Sequence, residues 1–298
     1  MLSVRHQIFI QVALHLSFSK ASEILFISQP AVSKHIKNLE YEYKMALFER
    51  KGTQISLTSA GELLLKNLLK AKELQENLAF EMSALQNEAE ADGKLRLGAS
   101  TTVALYVLPK ILSAFHRAYP NIEISLMNRN SNNILKALIN RDIDLGIIEG
   151  NKSYSEVEYL PFLVDEIIPV CSSFSPWKDQ SPLPIEKLKE IPIVLREYGS
   201  GTLATLTQSL LNHSIRITDL NVKVRLGGTE ALKNFLLQDT GLGFLPKRSV
   251  KRELEAKELY KVEIEGLKME RDFSFIQRQG EDNNKLRTIF RRFAEQNV

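Results

Sequence analysis

A short polar helix that follows a tight turn constrains the fold of this chain more than any other stretch. Residues 26–43 read FISQPAVSKHIKNLEYEY, where Ser28 can cap a helix and Pro30 falls in the first turn, so its missing N–H breaks no hydrogen bond. Helical spacing predicts one buried stripe, formed by Val32, Ile36 and Leu39. The opposite side is polar and basic, so the pattern indicates one packed and one exposed face.

Two more helices are predicted ahead of it. The first begins after Ser3, and the apolar positions at helical spacing are Ile8, Phe9, Val12, Ala13 and Leu16. The second covers residues 17–25, SFSKASEIL, with Ser19 as its expected N-cap. Its predicted inward residues are Ala21, Ile24 and Leu25. Short helices joined by tight turns are typical of a helix-turn-helix, whose last helix enters the major groove of DNA.

The polar face of the third helix suits DNA. Gln and Ser near a helix N-terminus can read base edges, whereas Lys further along suits phosphates, which fix position without reading sequence. The candidate DNA-binding residues on this helix are Gln29, Pro30, Ser33, Lys34 and Lys37. The alternative is an ordinary solvated helix face, because many helical corners share this geometry.

A basic hairpin after this helix favours the DNA interpretation. Residues 47–50 and 55–57 are short strand candidates, joined by a Lys-Gly-Thr-Gln turn. Arg50 and Lys51 fall at its tip, where a wing contacts the DNA backbone or minor groove. Residues 1–58 hold seven Lys or Arg against four Glu, so the head of the chain is basic. Double-stranded DNA is the predicted partner.

The N-terminal sequence resembles the DNA-binding domain of LysR-type transcriptional regulators. The S-Q-P-A-V-S segment at 28–33, the L-F-x-R segment at 47–50 and the L-T-x-A-G segment at 57–61 match that family. Two features depart from it: Ser22 stands where the family usually has a second Ala, and residues 25–27 form a bulkier turn. The resemblance implies a bacterial, sequence-specific DNA-binding transcription regulator that forms a homotetramer.

A long helix with heptad spacing follows the wing. Ser59 and Glu62 form the expected capping box, and the helix is predicted to continue to about Glu88. The predicted dimerisation residues are Leu64, Leu68, Gln75, Leu78, Met82 and Leu85, with Ala71 also in the seam. The helix could instead pack on its own domain. Acidic residues on its outer face favour pairing with a second copy, so a homodimer is expected.

Strands and helices alternate in the rest of the chain. Five segments between residues 94 and 150 form a βαβαβ unit, which predicts a parallel sheet. A second α/β set follows, and the last strand and helix are expected to return to the first. The predicted fold is a two-lobed α/β effector-binding domain, similar to a periplasmic binding protein, preceded by an α-rich winged helix-turn-helix domain and a long linker helix.

These patterns set the expected domain boundaries. They are a winged helix-turn-helix domain at 1–58, a dimerisation linker at 59–90 and an effector-binding domain at 91–298. Within the last, lobe I is expected at about 91–165 plus 268–298, and lobe II at about 166–267.

Three hydroxyl-rich segments precede helices in the large domain. They are GASTT at 98–102, REYGSGT at 196–202 and GGTE at 227–230. Ligands of open α/β sheets collect where strands end and helix N-termini point donors into the crevice. The candidate effector-binding residues are Ser100, Thr101, Thr102, Glu149, Arg196, Ser200, Thr202 and Thr229. For any single hydroxyl, plain N-capping is the alternative.

The predicted effector is a small anion or carboxylate, because hydroxyls, helix starts and Arg196 all favour negative charge. Glu149 would repel an anion, so it is expected to act as a switch or selectivity element, or to accept from an ammonium group. Segments 98–102 and 196–202 also resemble the regulators of cysteine metabolism and carbon fixation within the LysR family, which makes sulfur oxyanions or small metabolite anions the first candidates.

Several function classes are disfavoured. Ser100 misses the G-x-S-x-G nucleophile pattern, and none of the five histidines has a visible partner, so an enzyme is not expected. No metal or cofactor motif is present. The one cysteine, Cys171, lies in an apolar strand, where a buried thiol is expected. No apolar run is long enough for a membrane span and no clean signal segment appears, so a cytoplasmic location is expected.

Overall fold

A computed structural model describes residues 2–51, 54–85, 87, 90–149, 154–280 and 284–298, with the backbone alone for Arg50 and Lys51. Two compact units make up the chain: Met1–Gln86 and Asn87–Val298. The described part of the first unit contains α1 (Val4–His15), α2 (Phe18–Leu25), α3 (Gln29–Tyr43), β1 (Phe48–Lys51), β2 (Gln54–Leu57) and α4 (Ser59–Ala84).

The core of the first unit follows the predicted periodicity closely. Ser28 caps α3 by accepting from the backbone N–H of Ala31, and the stripe of Val32, Ile36 and Leu39 is buried. Strands β1 and β2 pair antiparallel, which confirms the wing hairpin. Its core also includes Ile8, Phe9, Val12 and Ala13 of α1.

Two helix starts differ from the prediction. Ser17, not Ser19, caps α2, and Thr58, not Ser59, caps α4. Each true cap accepts a hydrogen bond from the backbone N–H three residues later, at 3.2 and 3.0 Å. Both have extended backbone, which the last residue before a helix requires. The serines that were predicted as caps are already inside their helices.

Two apolar residues also differ from their expected positions. Ile24 is 41% exposed, because α2 buries only Ala21 fully and half-buries Leu25. Leu16 adopts a left-handed conformation at the C-cap of α1 and is exposed. The short helices therefore bury narrower faces than the sequence predicts.

The apolar seam of α4 is covered by its own domain in one part and exposed in the other. Leu68 is buried and Leu64 is half-buried against the core of the first unit, while Gln75 accepts a hydrogen bond from the backbone N–H of Leu2 at 3.0 Å. These three side chains face their own domain and not the solvent. An exposed stripe, called here the α4 stripe, consists of Leu74, Leu78, Met82 and Leu85. The helix ends at Ala84, and Glu88 lies outside the described residues.

The second unit is built of alternating strands and helices. Its first part contains β3 (Gly93–Ser100), α5 (Thr101–Tyr106), α6 (Leu108–Ala118), β4 (Ile122–Arg129), α7 (Ser131–Ile139) and β5 (Leu145–Glu149). Its second part contains β6 (Val157–Ser172), β7 (Ile193–Arg196), α8 (Gly201–Leu211), β8 (Val222–Leu226), α9 (Thr229–Leu236), β9 (Leu242–Pro246), α10 (Lys251–Glu255) and β10 (Leu259–Lys261). The last elements are β11 (Glu270–Arg278) and α11 (Lys285–Gln296).

The long strand β6 joins two half-sheets. In the first, β3 pairs in parallel with β4 and β5, and β11 pairs antiparallel with β5 and with residues 157–166 of β6. In the second, β7 pairs in parallel with β8 and β9, and residues 167–172 of β6 pair with β9 and β10. The partners of β6 change between Glu166 and Ile167, which defines lobe I (90–166 and 270–298) and lobe II (167–269).

Three details of the second unit were not predicted. The first helix of the predicted βαβαβ unit divides at Val107, because Pro109 lacks an N–H and suits a first turn, not a helix interior. Strand β6 extends upstream through Pro161, at the point where a register shift interrupts its pairing with β11. The three-residue strand β10 is too short to leave a pattern in the sequence.

Candidate DNA-binding face and effector cleft

The exposed face of α3 carries the residues that were predicted to contact DNA. Gln29, Pro30, Lys34 and Lys37 are exposed, and Ser33 is half-buried. The Gln29 amide donates to the Ser33 hydroxyl at 3.1 Å, one turn further along the same face. Both base-reading candidates therefore lie together at the start of the helix, and both lysines remain accessible for phosphate contacts.

An open groove of about 630 Å³ runs beside this face. It is lined by residues from the start of α2, the start of α3 and the wing: Leu16, Ser17, Phe18, Ser19, Gln29, Ser33, Gln54 and Ile55. Gln54 was not predicted as a site residue, because it belongs to the wing strand and only the fold brings it beside α3. Arg50 and Lys51 lie on β1, and their side chains are outside the described part of the chain.

Arg271 lies at the centre of the cleft between the two lobes. Its guanidinium donates to Glu149 at 3.1 Å, to Thr202 at 3.0 Å and to Thr102 at 3.3 Å. Two further bonds, at 3.0 and 2.7 Å, go to the same carboxylate oxygen of Asp165. These five residues, called here the Arg271 cluster, are all buried and join the helix starts of both lobes.

A second chain of polar contacts extends from this cluster. The hydroxyls of Thr102 and Thr229 lie 3.5 Å apart, across the boundary between the lobes. Thr229 also accepts from Arg196 at 2.7 Å, and Arg196 makes a bidentate ion pair with Glu197 at 2.8 and 3.0 Å. Two buried arginines therefore border the same line of threonine hydroxyls.

Glu197 is the acidic counterpart of Arg196. Burial alone raises the pKa of this carboxyl, but the hydrogen bonds and charge of Arg196, with backbone N–H groups that include that of Gly228, outweigh burial. The net result is that the pKa of Glu197 lies below its ordinary value. The group is therefore held as a carboxylate that neutralises Arg196.

The loop at 196–202 needs its glycines for two different reasons. Gly199 has a φ of 87°, in the left-handed region that favours glycine. Gly201 is the first residue of α8, and a Cβ there would lie 1.8 Å from Cγ of Glu149. The absence of a side chain at Gly201 allows Glu149 of lobe I to pack directly over a helix start of lobe II.

A cavity of about 490 Å³ borders the Arg271 cluster on the side of α7 and α8. Its walls are mostly apolar, and include Leu135, Ile148, Leu203 and Ile217. Glu149, Ser131 and Ser200 also line it. Among the described residues, Oε2 of Glu149 and Oγ of Ser131 are buried oxygens with no hydrogen-bond partner. Such unpaired acceptors are rare in protein interiors, and here they mark the wall of a space that could hold a ligand.

The structure brings most of the predicted cleft residues together. Five of them belong to the Arg271 cluster or to the polar contacts that extend from it: Thr102, Glu149, Thr202, Thr229 and Arg196. Ser200 caps α8, and the Ser100 hydroxyl is buried with no partner among the described residues. Thr101 begins α5 and is half-buried, and it takes part in none of these contacts. Arg271, Asp165, Ser131 and Glu197 were missed by sequence reasoning.

Other reactive groups lie outside the cleft. Cys171 is fully buried, and burial raises the pKa of its thiol, although a hydrogen bond with Ser175 acts in the opposite direction. His213 is engaged with the backbone carbonyl of Gly266 at 3.1 Å. No group of three or more potential metal ligands occurs among the described residues. The helices of the described chain include none that is both long and apolar enough to cross a membrane.

Comparison with known proteins agrees with both units. Residues 5–62 match the bacterial regulatory helix-turn-helix family of lysR type, and residues 88–298 match the LysR substrate binding domain. The transcriptional regulator CysL of Bacillus subtilis is 29% identical over 282 residues, covering 95% of this chain and 93% of CysL. A probable RuBisCO transcriptional regulator of Thalassiosira pseudonana is 28% identical over 291 residues, covering 95% and 94%.

A solved structure extends the comparison to the cleft domain. The regulatory domain of Synechocystis CcmR, in complex with 2-PG, is 26% identical and superposes with a TM-score of 0.62, covering 69% of this chain and 97% of that domain. The relatives agree with the subgroup that segments 98–102 and 196–202 resemble. With a lysR-type helix-turn-helix and a LysR substrate binding domain in sequence, the chain belongs to the LysR family of transcriptional regulators.

Proposed function

We propose that this regulator senses a small organic or inorganic anion in the cleft between its lobes and transmits binding to its DNA-binding unit. The observation that carries the proposal is the Arg271 cluster, in which one buried guanidinium contacts Thr102 of lobe I and Thr202 of lobe II. A ligand that binds these groups would contact both lobes at once. Such a ligand favours one arrangement of the lobes over another, as an allosteric effector must.

The anionic character of the effector is supported by the donors in the cleft. Threonine hydroxyls lie at the starts of α5, α8 and α9, and two buried arginines border them. Hydroxyls, helix N-termini and guanidinium groups all favour carboxylate, phosphate or sulfur oxyanions. The CcmR regulatory domain was solved with 2-PG, which is further support for a small anion.

On DNA, we assign sequence reading to Gln29 and Ser33 at the start of α3. Lys34 and Lys37 contact phosphates, as do Arg50 and Lys51 of the wing. The support is the exposure of the α3 face beside a groove that the wing also lines. Two copies of α3 are needed for two half-sites of DNA, about one helical turn apart or a multiple of it.

The second copy is expected to pair through the linker helix. The α4 stripe is apolar and exposed, with Leu74 at 70% and Leu85 at 76%. Three residues of the predicted seam belong to the α4 stripe: Leu78, Met82 and Leu85. The other three pack on their own domain: Leu64, Leu68 and Gln75. Charged replacement of Leu78 should dissociate a homodimer in analytical ultracentrifugation, and the same measurement tests the tetramer implied by the family.

The protein is assigned no catalytic role and a cytoplasmic place of action beside its DNA. A nucleophilic Ser100 needs a base, and His213 is already bound to a backbone carbonyl in lobe II. Recognition of a ligand without turnover is the role that we assign to the cleft.

A thermal-shift screen of the full-length protein tests the effector assignment. The panel contains sulfate, sulfite, phosphate, 2-phosphoglycolate and citrate. A ligand at about a hundredfold over its Kd stabilises the protein by about 2.7 kcal/mol, which shifts the melting temperature clearly. Thr102→Ala and Thr202→Ala should abolish the shift, and Thr288→Ala, whose hydroxyl donates to the Asn284 carbonyl at the start of α11, is the control. A shift that survives in both cleft variants would place the ligand elsewhere.

A further inference from the structure

The Arg271 guanidinium has no hydrogen-bond donor left for a ligand. A guanidinium carries five N–H groups, and five bonds leave Arg271: two to Asp165 and one each to Glu149, Thr102 and Thr202. An anion that binds Arg271 must therefore take the place of one of these acceptors.

Glu149 is the acceptor that can be exchanged. Asp165 receives two bonds from Arg271 and a further one from Arg248 at 2.7 Å, so it is held by two guanidinium groups. Glu149 receives one bond, through Oε1, and its Oε2 is buried with no partner in the part of the chain that the structure describes. Of the two carboxylates, Glu149 is thus held by fewer bonds.

The charge balance of the cluster also indicates that a carboxylate, such as that of Glu149, is the group that an anion replaces. Two guanidinium groups, Arg271 and Arg248, face two carboxylates, Glu149 and Asp165, so the charges balance. An additional anion would leave one buried negative charge without a counterion, which is costly in a protein interior. Exchange of one carboxylate for another keeps the charge next to Arg271 unchanged, and the displaced Glu149 carboxylate then needs water or hydrogen-bond donors in its new place.

The structure also provides space for the displaced side chain. Glu149 lines the cavity of about 490 Å³, whose wall carries the unpaired hydroxyl of Ser131. A carboxylate that leaves Arg271 can turn into this space, where hydroxyl and amide groups such as those of Ser131 and Gln208 are available as donors. The three heavy atoms nearest to a Cβ built at Gly201 all belong to Glu149.

We infer that Glu149 is a built-in competitor of the effector: its carboxylate holds the anion position on Arg271, and an effector anion binds by replacing it. This inference rests on the proposed function of the cleft. It adds that the ligand-free domain is already closed across its lobes by an internal anion. The measured affinity for an effector is then the intrinsic affinity reduced by the competition from Glu149.

Isothermal titration calorimetry on full-length protein tests this with the same five anions. Glu149→Gln keeps the shape of the side chain and removes its charge, so the anion competes against a neutral amide. Charge-assisted hydrogen bonds contribute more than neutral ones, and we expect binding to tighten by about tenfold or more. The matched control is Glu166→Gln, which removes a charge of the same sign from an exposed pair with Lys247. That control should bind as the wild type does.

Gly201→Ala gives an independent test without a change of charge. The new methyl group would meet Cγ of Glu149 at 1.8 Å and Cδ at 2.7 Å, so the present position of the Glu149 side chain is no longer possible beside this helix start. This variant should also bind the anion more tightly than the wild type. It keeps the inference testable if Glu149→Gln fails to fold.

The outcomes separate the two proposals. Binding by Glu149→Gln where the wild type shows none supports the inference, since the competitor had masked the site. Unchanged or weaker binding in Glu149→Gln overturns it, and loss of binding in Thr102→Ala would then leave the proposed function standing. Equal tightening in Glu166→Gln would show a general charge effect and overturn the inference. If neither the wild type nor Glu149→Gln binds any anion, both proposals are wrong.

Discussion

The exposed face of α3 and the Arg271 cluster are the two proposed binding surfaces, and their polar groups differ in burial. On α3, Gln29, Lys34 and Lys37 are exposed to solvent. In the cleft, Arg271 and Glu149 are buried and form an ion pair. An exposed charge without a ligand costs little free energy because water solvates it. A buried charge without a partner is costly, so it needs a partner in the ligand-free protein. Under the proposed function, the buried site carries its own substitute ligand, and the exposed one does not.

The largest expected effect comes from removal of the centre of the cluster. Arg271→Ala leaves Glu149 without its counterion and Asp165 with Arg248 alone, and breaking a buried ion pair in this way costs about 3–5 kcal/mol. Urea unfolding followed by fluorescence of Trp177, which packs against the lobe II core, measures the loss.

Lys37→Ala on the exposed face of α3 is the matched comparison, expected within about 0.5 kcal/mol of the wild type. If both variants cost the same, the contrast between the two surfaces is wrong.

The next effect separates the residues within the α3 face. Gln29→Ala should weaken binding to the cognate operator by about 1–3 kcal/mol with little change on unrelated DNA. Lys34→Ala should weaken both DNAs alike and reduce the salt dependence by about one phosphate contact. Fluorescence anisotropy at several salt concentrations measures both. Equal losses on both DNAs for Gln29→Ala would contradict its role as a base reader.

A smaller effect on stability is expected at Ser17 and Ser19, which line the groove beside the α3 face. Ser17 caps α2, whereas the Ser19 hydroxyl makes no capping bond. Ser17→Ala should lower the unfolding free energy of the first unit by about 1 kcal/mol. Ser19→Ala should stay within about 0.5 kcal/mol, since its side chain is exposed. Thermal unfolding followed by circular dichroism compares them, and the reverse order would restore Ser19 as the cap.

The smallest effect is the acid response of the Arg196–Glu197 pair. The pKa of Glu197 is lowered in the folded protein, so the pair contributes its full stability above the ordinary value of 4.5 and loses it as the pH falls below that value. Glu197→Gln should therefore melt below the wild type at neutral pH, and the difference should shrink on acidification. A difference that grows on acidification would mean that the pKa is raised.

The two regions also differ in how far their sequences predict them. On α3, periodicity over fifteen residues locates both the buried stripe and the exposed face. In the cleft, the sequence predicts hydroxyls at helix starts, but Arg271 and Asp165 lie 106 residues apart on strands that only the topology brings together. Arg271 did carry a local signal, because it is in phase with Phe273 and Phe275 on the buried face of β11.

Caps were mispredicted for a local reason. Ser17 and Ser19, like Thr58 and Ser59, are hydroxyl residues within two positions of each other, and sequence preference alone does not choose between them. The choice depends on the backbone that the packed helices impose. The α4 stripe shows the same limit, since heptad spacing does not reveal that Leu68 is already covered by its own domain.

The two passages of the chain between the lobes have an architectural consequence. Glu166, where the chain leaves lobe I, and Glu270, where it returns, are register partners on neighbouring antiparallel strands. Lobe II is therefore an insertion into a smaller α/β domain, and a tight turn could in principle close the gap that it fills. In modular terms, residues 167–269 are one continuous insertion with adjacent ends, so a graft of another lobe at these two points would leave the chain of lobe I and of the DNA-binding unit the same.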